Sequence, residues 1–240
     1  MRKRSGIFDG KTVLPVTAAS FAMVFLIMSM LLTSFQAVIY GDPNYRFYEK
    51  EYEKYKVTEP LAMELEDVME VTGHMMDYLI GREEELSIVT DVDGQTQDFF
   101  NEQDRFHMAD VRKLFLGGLK VRNLCAAAAL FLIAGLIIAK TDWKRLLPRA
   151  YLWALGILLV VILLLAAAFS IDFTRCFTIF HEIFFTNDLW MFNPSEDYMI
   201  RMLPEGFFFD MVIRIGMTFV GMLLAVGGLM FAVIRMSRRC

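Results

Sequence analysis

Residues 151–169 have the sequence YLWALGILLVVILLLAAAF, an apolar stretch without a charged side chain. A helix of this length rises about 1.5 Å per residue and therefore matches the roughly 30 Å hydrocarbon core of a bilayer. Three further stretches are comparably long and apolar, and no others in the chain are: Val13–Tyr40, Val121–Ala139, which contains Arg122, and Met211–Ile234, which contains Arg214. The sequence thus predicts an integral membrane protein with four spanning helices.

The overall composition agrees with a membrane protein. The 240 residues are 56% hydrophobic and 22% charged, with a mean hydropathy of +0.45, whereas globular domains average about half apolar and a quarter charged. The three cysteines, Cys125, Cys176 and Cys240, are too far apart for a disulfide framework or a zinc site built on a cysteine pair. The composition disfavours disordered, secreted disulfide-rich and nucleic-acid-binding proteins, and no nucleic-acid partner is expected.

Charge asymmetry predicts the orientation. Three short segments outside the spans, residues 1–12, 140–150 and 235–240, contain eleven lysines and arginines against two acids. Their net charge of +9 leaves −13 for the rest of the chain. Because short basic segments stay in the cytoplasm, we expect both termini inside and residues 41–120 and 170–210 outside.

The first apolar stretch follows a basic start and so resembles a signal peptide. Its length exceeds the 7–15 residues of a signal-peptide core, and no A-x-A-like site follows it, so we interpret it as an uncleaved anchor. The predicted organisation has nine segments along the chain. They are a cytoplasmic N-terminus (1–12), a first span (13–40), an outer cap (41–120), a second span (121–139), a cytoplasmic loop (140–150), a third span (151–169), a second outer segment completing the cap (170–210), a fourth span (211–234) and a cytoplasmic tail (235–240).

The first half of the cap carries helix and strand signals. Thr58-Glu59-Pro60 opens a helix whose apolar spacing continues to Leu79, and Gly81 ends it. Leu86–Val92 is extended and closes on the turn dipeptide Asp93-Gly94. The predicted fold class is therefore an all-α membrane protein with four transmembrane helices, N-in and C-in, and a mostly helical extracytoplasmic cap that holds a short β segment.

Two more helices are predicted outside the spans. Residues from Glu102 to Leu116 place His107 on one helical face with apolar residues, and Gly117-Gly118 is expected to break or bend this helix before the second span. Asn193-Pro194-Ser195-Glu196 is a helix start, from which a helix is expected to reach Leu203. Residues 169–209, which include the second of these helices, are rich in aromatic side chains. This indicates either an interfacial aromatic belt or a pocket for an acyl chain or lipid headgroup.

The three histidines, His74, His107 and His181, all lie in the outer segments. A structural histidine with ordinary hydrogen bonds is the alternative for each. His107 and His181 both fall near the boundary between cap and membrane, where an unpaired imidazole is costly and the pKa of a reactive one can be tuned. His74 lies in the middle of a helix and fits the cap's own packing or surface.

Several familiar chemistries are excluded. His181-Glu182 begins like the H-E-x-x-H zinc motif, but the second ligand position is Phe185. No G-x-S-x-G elbow and no phosphate-binding glycine loop is present. A metal site built from His107, His181 and an acid such as Asp188 stays open, although it would be poor in ligands.

Two motifs carry a family resemblance: HMADVRKLF at residues 107–115 and FHEIFFTNDLW at residues 180–190, continued by Asn193-Pro194. With the span count, the cap position and the order of the motifs, the chain resembles the bacterial lipoprotein intramolecular transacylase family. The resemblance implies a multi-pass enzyme of the bacterial plasma membrane without a cofactor. It also implies that catalysis rests on His107 and His181 on the extracytoplasmic side.

The resemblance further implies a substrate and a reaction. The substrate is a lipoprotein with a diacylglyceryl-modified N-terminal cysteine, and membrane lipids surround it. The acyl chain moves from the sn-2 glyceryl oxygen to the cysteine amino group, which gives the lyso-form. Two competing interpretations are a non-enzymatic integral membrane protein that binds lipid or lipoproteins, and a metal-dependent lipid hydrolase.

Other polar residues of the motifs are candidates for supporting roles. The acids Asp110, Glu182 and Asp188 either orient the imidazoles or are solvated. Asn187, Trp190 and Asn193 either line the pocket or have structural roles. For Arg201, a salt bridge to Asp197 or Glu205 at helical spacing competes with a headgroup contact.

Overall fold

A computed structural model describes residues 10–237, and side chains within 13–236. The helices and strands follow one another along the chain as α1 (Gly10–Ile39), α2 (Arg46–Lys54), α3 (Thr58–Leu61), α4 (Leu65–Leu79), β1 (Val89–Val92), β2 (Gln95–Asp98), α5 (Glu102–Ile138), α6 (Trp143–Ile171), α7 (Phe173–Phe184), α8 (Tyr198–Met202) and α9 (Glu205–Ser237). The prediction of a mostly helical chain is confirmed. The basic residues at positions 2–4, 238 and 239, and the side chain of Lys11, lie outside the described residues.

Four of these helices, α1, α5, α6 and α9, are long and apolar enough to cross a membrane, which confirms the predicted number of spans. Their lengths, from 29 to 37 residues, all exceed the roughly 20 that a bilayer requires. The chain divides into two units, and these helices contribute residues to both. The first unit comprises residues 10–34, 120–167 and 217–237, and the second comprises residues 35–119 and 168–216.

The first unit is a bundle packed around small and aromatic side chains. Ala19, Ala22 and Met23 of α1 are buried together with Tyr151 of α6. The hydroxyl of Tyr151 donates a hydrogen bond of 2.5 Å to the backbone carbonyl of Leu223 in α9. Such a bond satisfies a buried polar group that hydrocarbon cannot hydrate.

The second unit has its own core of aromatic, methionine and aliphatic side chains. The ring of Phe207 at the start of α9 lies within 5.2–5.8 Å of the rings of Phe47, Tyr48 and Tyr52 on α2. The buried hydroxyl of Tyr52 pairs with that of Thr72 on α4 at 2.7 Å. This core fastens α2, α4 and the start of α9 into one body.

The β segment is confirmed as a hairpin. β1 and β2 pair antiparallel, with Val92 opposite Gln95. Asp93 and Gly94 both have positive φ, as a tight two-residue hairpin turn requires. The expected helix from Thr58 to Leu79 is wrong in one respect. It is divided into α3 and α4, because Ala62 adopts a left-handed conformation that ends the first helical turn.

The expected break at Gly117-Gly118 is wrong, because α5 runs without interruption from Glu102 to Ile138. Nothing lies within 4 Å of where a Cβ would stand on either glycine, so they serve no close approach in the described structure. A glycine inside a helix costs about 1 kcal/mol relative to alanine, which a helix of this length absorbs. The helix expected from Asn193 is also shorter than predicted, since α8 begins only at Tyr198.

Candidate active site

His107 of α5 and His181 of α7 come together in the second unit. Their ring centroids are 5.9 Å apart and the rings are stacked, with an angle of 28° between the planes. Both side chains are buried, at 5% and 7% exposure. The third histidine, His74, instead accepts a hydrogen bond of 3.3 Å at Nε2 from the backbone N–H of Ser87. The structure therefore pairs the two motif histidines.

One face of α5 holds His107 against the segment that follows α7. Gln103, His107 and Asp110 have i, i+4 and i+7 spacing and so share a helical face. Nε2 of Gln103 donates to the backbone carbonyl of Leu189 at 3.0 Å, and Oδ2 of Asp110 accepts from Nδ2 of Asn187 at 3.0 Å. A polar contact thus stands one turn before His107 and another one turn after it. We call these two contacts the clamp.

The start of α5 is fastened in the same way. The side chain of Asn101 and that of Asp104 each accept a hydrogen bond from the other's backbone N–H, at 2.9 and 3.0 Å, which is a capping box. Nδ2 of Asn101 also donates to the buried carboxylate of Asp197 at 2.5 Å, and that carboxylate accepts from the backbone N–H of Asn193 at 2.6 Å. The helical turn before His107 is therefore tied to the loop that leads to α8.

A backbone hydrogen bond orients His181. Its Nδ1 lies 2.8 Å from the carbonyl oxygen of Phe177, one turn earlier in α7. A carbonyl can only accept, so Nδ1 carries the proton and Nε2 of the neutral ring carries the free lone pair. Burial lowers the pKa of His181, and the bond to Phe177 opposes this shift only in part. The ring is thus a neutral base with its basic atom, Nε2, directed away from the helix backbone.

The surroundings of both rings are aromatic. The ring of His107 lies 5.0 Å from that of Phe185 and 5.3 Å from that of Phe192. The ring of His181 lies 4.9 Å from that of Trp190. Nδ1 of His107 is buried and has no hydrogen-bond partner within the described residues. A buried polar atom without a partner costs free energy, so this atom is suited to pair with a ligand.

The predicted site acids lie in different places. Asp110 belongs to the clamp and also forms an ion pair of 2.9 Å with Lys113. Glu182 and Asp188 are exposed, and within residues 13–236 no hydrogen bond joins either carboxylate to a histidine. Glu182 follows His181 directly, and successive helical side chains point about 100° apart, so it faces away from the pair.

The other predicted lining residues divide between pocket and structure. Trp190 packs on His181. Asn187 serves the clamp, and its Oδ1 also accepts from the backbone N–H of Leu189 at 3.1 Å. Asn193 is exposed, and its Oδ1 accepts from the backbone N–H of Ser195 at 3.1 Å, which is a turn.

The expected salt bridge from Arg201 to Asp197 or Glu205 is wrong. Nη1 of Arg201 pairs with Asp93 in the hairpin turn at 3.1 Å and donates to the carbonyl of Pro60 at 3.0 Å. Glu205 belongs to a new helix, because α8 ends at Met202, and the carboxylate of Asp197 is bonded to Asn101 and Asn193 instead.

Sequence patterns did not single out Gln103, Asn101 and Asp104. For the last two a signal exists, because an asparagine followed three residues later by an acid, just before a helix, is typical of a capping box. For Gln103 no local signal exists, since its partners are backbone carbonyls of a distant loop. Only the folded chain brings these groups together.

The arrangement is suited to proton transfer without a metal ligand set. Among the described residues, no group of three or more His, Cys, Asp or Glu side chains is placed to hold a metal ion. The pair offers one lone pair on Nε2 of His181 and a second imidazole beside it, in apolar surroundings that strengthen hydrogen bonds to a developing charge. Such a site can remove a proton from a nucleophile and stabilise an oxyanion.

The chain is similar to known proteins of one family. A family model described as "Lipoprotein intramolecular transacylase Lit" matches residues 20–208. A solved structure of the membrane integral lipoprotein intramolecular transacylase Lit from Bacillus cereus is similar, with a TM-score of 0.75, 21% identity, and coverage of 97% of this chain and 100% of that chain. A variant of it with one histidine replaced by alanine has a TM-score of 0.70 and 19% identity, and the match covers 95% of each chain. No curated protein sequence matches.

Proposed function

The chain belongs to the lipoprotein intramolecular transacylase family, and from this premise we propose how it moves an acyl chain within a lipoprotein. It is a membrane acyltransferase. The substrate is a lipoprotein whose N-terminal cysteine carries a diacylglyceryl group and a free α-amine. The acyl chain moves from the sn-2 glyceryl oxygen to that amine, and the product is an N-acylated lipoprotein with a monoacylglyceryl group.

The reaction needs one proton to be moved and no covalent enzyme intermediate. The amine nitrogen attacks the ester carbonyl, the C–N bond forms, the C–O bond breaks, and the proton lost by nitrogen ends on the glyceryl oxygen. An α-amine has a pKa of about 7.7–8.0 and is close to its reactive form near neutral pH. Since donor and acceptor belong to one molecule, holding them in line gives effective molarities of about 10⁵–10⁸ M in well-oriented cases.

Within this scheme we assign His181 as the base. The hydrogen bond from its Nδ1 to the carbonyl of Phe177 carries this assignment, because it leaves the lone pair on Nε2. Nε2 takes the proton from the amine and returns it to the departing alkoxide. The ring of His107, stacked 5.9 Å away, donates an N–H hydrogen bond to the oxyanion of the tetrahedral intermediate. This use of a neutral imidazole as a donor is consistent with its burial.

The surrounding residues support this chemistry without entering it. The clamp residues Gln103, Asp110 and Asn187 set the spacing of the imidazoles. Trp190 and its aromatic neighbours exclude water, which would otherwise compete with the amine for the ester. Glu182, Asp188 and Asn193, which are exposed, and Arg201, paired with Asp93, have no role in the step.

We further propose that the site faces the extracytoplasmic side of a bacterial plasma membrane. The charge asymmetry between basic residues 1–12, 140–150 and 235–240 and acidic residues 41–120 and 170–210 supports this orientation. Both histidines then lie in the outer segments, where the lipidated cysteine of an exported protein is presented. The cytoplasmic, spanning and outer segments predicted from the sequence keep the boundaries given above in this orientation.

The experiment is to express the chain with a diacylated reporter lipoprotein and to identify the N-terminal lipopeptide by tandem mass spectrometry. His107→Ala and His181→Ala should each lower N-acyl product by about 10²–10⁴-fold, the range of general acid–base contributions. His74→Ala is the matched control, because this histidine contacts only the Ser87 backbone in the described hydrogen bonds, and it should retain activity.

Three outcomes contradict the proposal. A free amine that stays unmodified in the presence of folded wild-type protein indicates a non-enzymatic binding protein. Release of free fatty acid that chelators abolish indicates a metal-dependent hydrolase. Full activity in both His107→Ala and His181→Ala removes the imidazole pair from the mechanism.

A further inference from the structure

Helix α7 presents three different faces along its twelve residues. Phe177 and His181 face the protein interior, where they contact each other at 4.2 Å between ring centroids. Four large apolar side chains share a second arc of about 140° and are exposed. These side chains, which we call the α7 outer face, are Ile179, Phe180, Ile183 and Phe184.

The third face of α7 is polar. Thr174, Arg175 and Glu182 are exposed there, on an arc of about 100° that begins beside Ile179 at the edge of the α7 outer face. The hydroxyl of Thr174 donates to the carboxylate of Glu205 at 2.6 Å, which fastens this side to the start of α9. A helix with separate apolar and polar exposed faces is typical of the boundary between hydrocarbon and water.

The position of α7 along the chain agrees with this boundary. It begins at Phe173, only two residues after the membrane-capable helix α6 ends at Ile171. Asp172 between them caps α7, with its carboxylate accepting from the backbone N–H of Arg175 at 2.9 Å. The start of α7 therefore lies within one residue of a spanning helix and cannot be far from the lipid.

The apolar surface is continuous with the reactive imidazole. The ring of Phe180 meets that of His181 edge to face at 5.4 Å, and Phe180 packs on Phe184 at 4.7 Å. Ile183 is 70% exposed and extends the surface outward. A chain that lies along these side chains has one end beside His181. The α7 outer face carries no charged group, so a hydrocarbon chain suits it and a polar peptide does not.

From these contacts we propose that the α7 outer face binds the acyl chain that is transferred and delivers its ester carbonyl to His181. The inference rests on the proposed function and names the part of the substrate that this surface recognises. Its consequence is that the enzyme prefers long acyl chains over short ones, because Ile183 lies about 160° around the helix from His181 and only a long chain reaches it.

The test compares two reporter lipopeptides of identical peptide sequence, one with hexadecanoyl and one with octanoyl chains, in the same detergent. The variant is Ile183→Asn, which lies on the α7 outer face about 160° around the helix from His181. Val89→Asn is the control, since Val89 is 66% exposed on β1 and its loss removes a comparable apolar surface from the hairpin.

For the long-chain reporter, Ile183→Asn should raise KM about tenfold with kcat nearly unchanged. This corresponds to the loss of about 50–60 Å² of apolar contact at 25 cal/mol per Å². For the short-chain reporter, the rise should stay below about twofold, and Val89→Asn should leave both values unchanged. Elution as a single species and an unchanged melting temperature show that the variants are folded.

Two results overturn this inference. An equal rise in KM for both reporters shows that the α7 outer face contacts detergent or bulk lipid rather than the transferred chain. Unchanged kinetics with both reporters shows that the chain binds elsewhere. Failure of the proposed function is distinct, because wild-type protein would then yield no N-acyl product from either reporter.

Discussion

The contact between Asp110 and Asn187 offers the sharpest test of how the fold positions the histidines. Nδ2 of Asn187 donates to Oδ2 of Asp110 at 3.0 Å, one turn beyond His107. A hydrogen bond to a charged group contributes about 1.5–3 kcal/mol when well shielded. The Asp110 side chain is 27% exposed and keeps its ion pair with Lys113, so we expect about 1 kcal/mol, or fivefold in rate.

The perturbation is a double-mutant cycle with Asp110→Ala, Asn187→Ala and the combined variant. If the contact positions His107 in the transition state, each single variant lowers kcat about fivefold and leaves KM nearly unchanged. The combined variant then shows the loss of one contact, not of two, apart from the further loss of the Asn187 bond to Leu189. N-acyl product formed per unit time is measured by mass spectrometry with a single diacylated reporter.

Asp110→Asn is the matched variant. An asparagine keeps a carbonyl oxygen that can accept from Asn187 but loses the ion pair with Lys113, so we expect most of the activity to return. Additivity of the two alanine variants within about 0.3–0.5 kcal/mol would refute the coupling. A rise in KM at constant kcat would refute positioning in the transition state, because it indicates a loss of substrate binding only.

The pH profile of kcat/KM should be governed by the substrate amine, with an ionisation near pH 8, because burial lowers the pKa of His181 and its base form persists below pH 6.5; a loss of base that sets in above pH 6.5 would contradict this. Gly117→Ala should raise the free energy of unfolding by up to about 1 kcal/mol, because nothing lies within 4 Å of the new Cβ in a continuous helix. A lower melting temperature would contradict a continuous helix at this position. Gly206→Ala should destabilise the protein, because its Cβ would stand 2.5 Å from the ring of Tyr55; an unchanged melting temperature would contradict that close approach.

Local signals accounted for much of the fold. Hydrophobic length alone predicts the four membrane-capable helices, since hydrocarbon demands a minimum helix. The dipeptide Asp93-Gly94 predicts the turn that follows β1, because few residues adopt two successive positive φ values, but the second strand of the hairpin was not predicted. The errors at Gly117-Gly118 and at residues 193–203 have the same origin. Glycine can end a helix and proline can begin one, but the contacts of the surrounding helix and loop decide whether either happens.

The candidate site shows the same division. The motif residues His107 and His181 are evident from the sequence, as are Asp110, Asn187 and Trp190 beside them. Their supporting contacts are not, because Gln103 binds backbone carbonyls and Asp197 binds Asn101, across long separations in the chain. Arg201 illustrates the converse, since helical spacing suggested a neighbouring acid and the fold supplied Asp93.

By itself the sequence determined that this protein has four helices long and apolar enough to cross a membrane, which orientation its charges favour, and which family it resembles, because these depend on composition and local order. The tertiary structure decided how the imidazoles are arranged. It stacked them at 5.9 Å, placed the proton of His181 on Nδ1 through Phe177, and left a buried nitrogen of His107 without a partner. The physical reason is that tautomer and spacing depend on groups brought together only by packing.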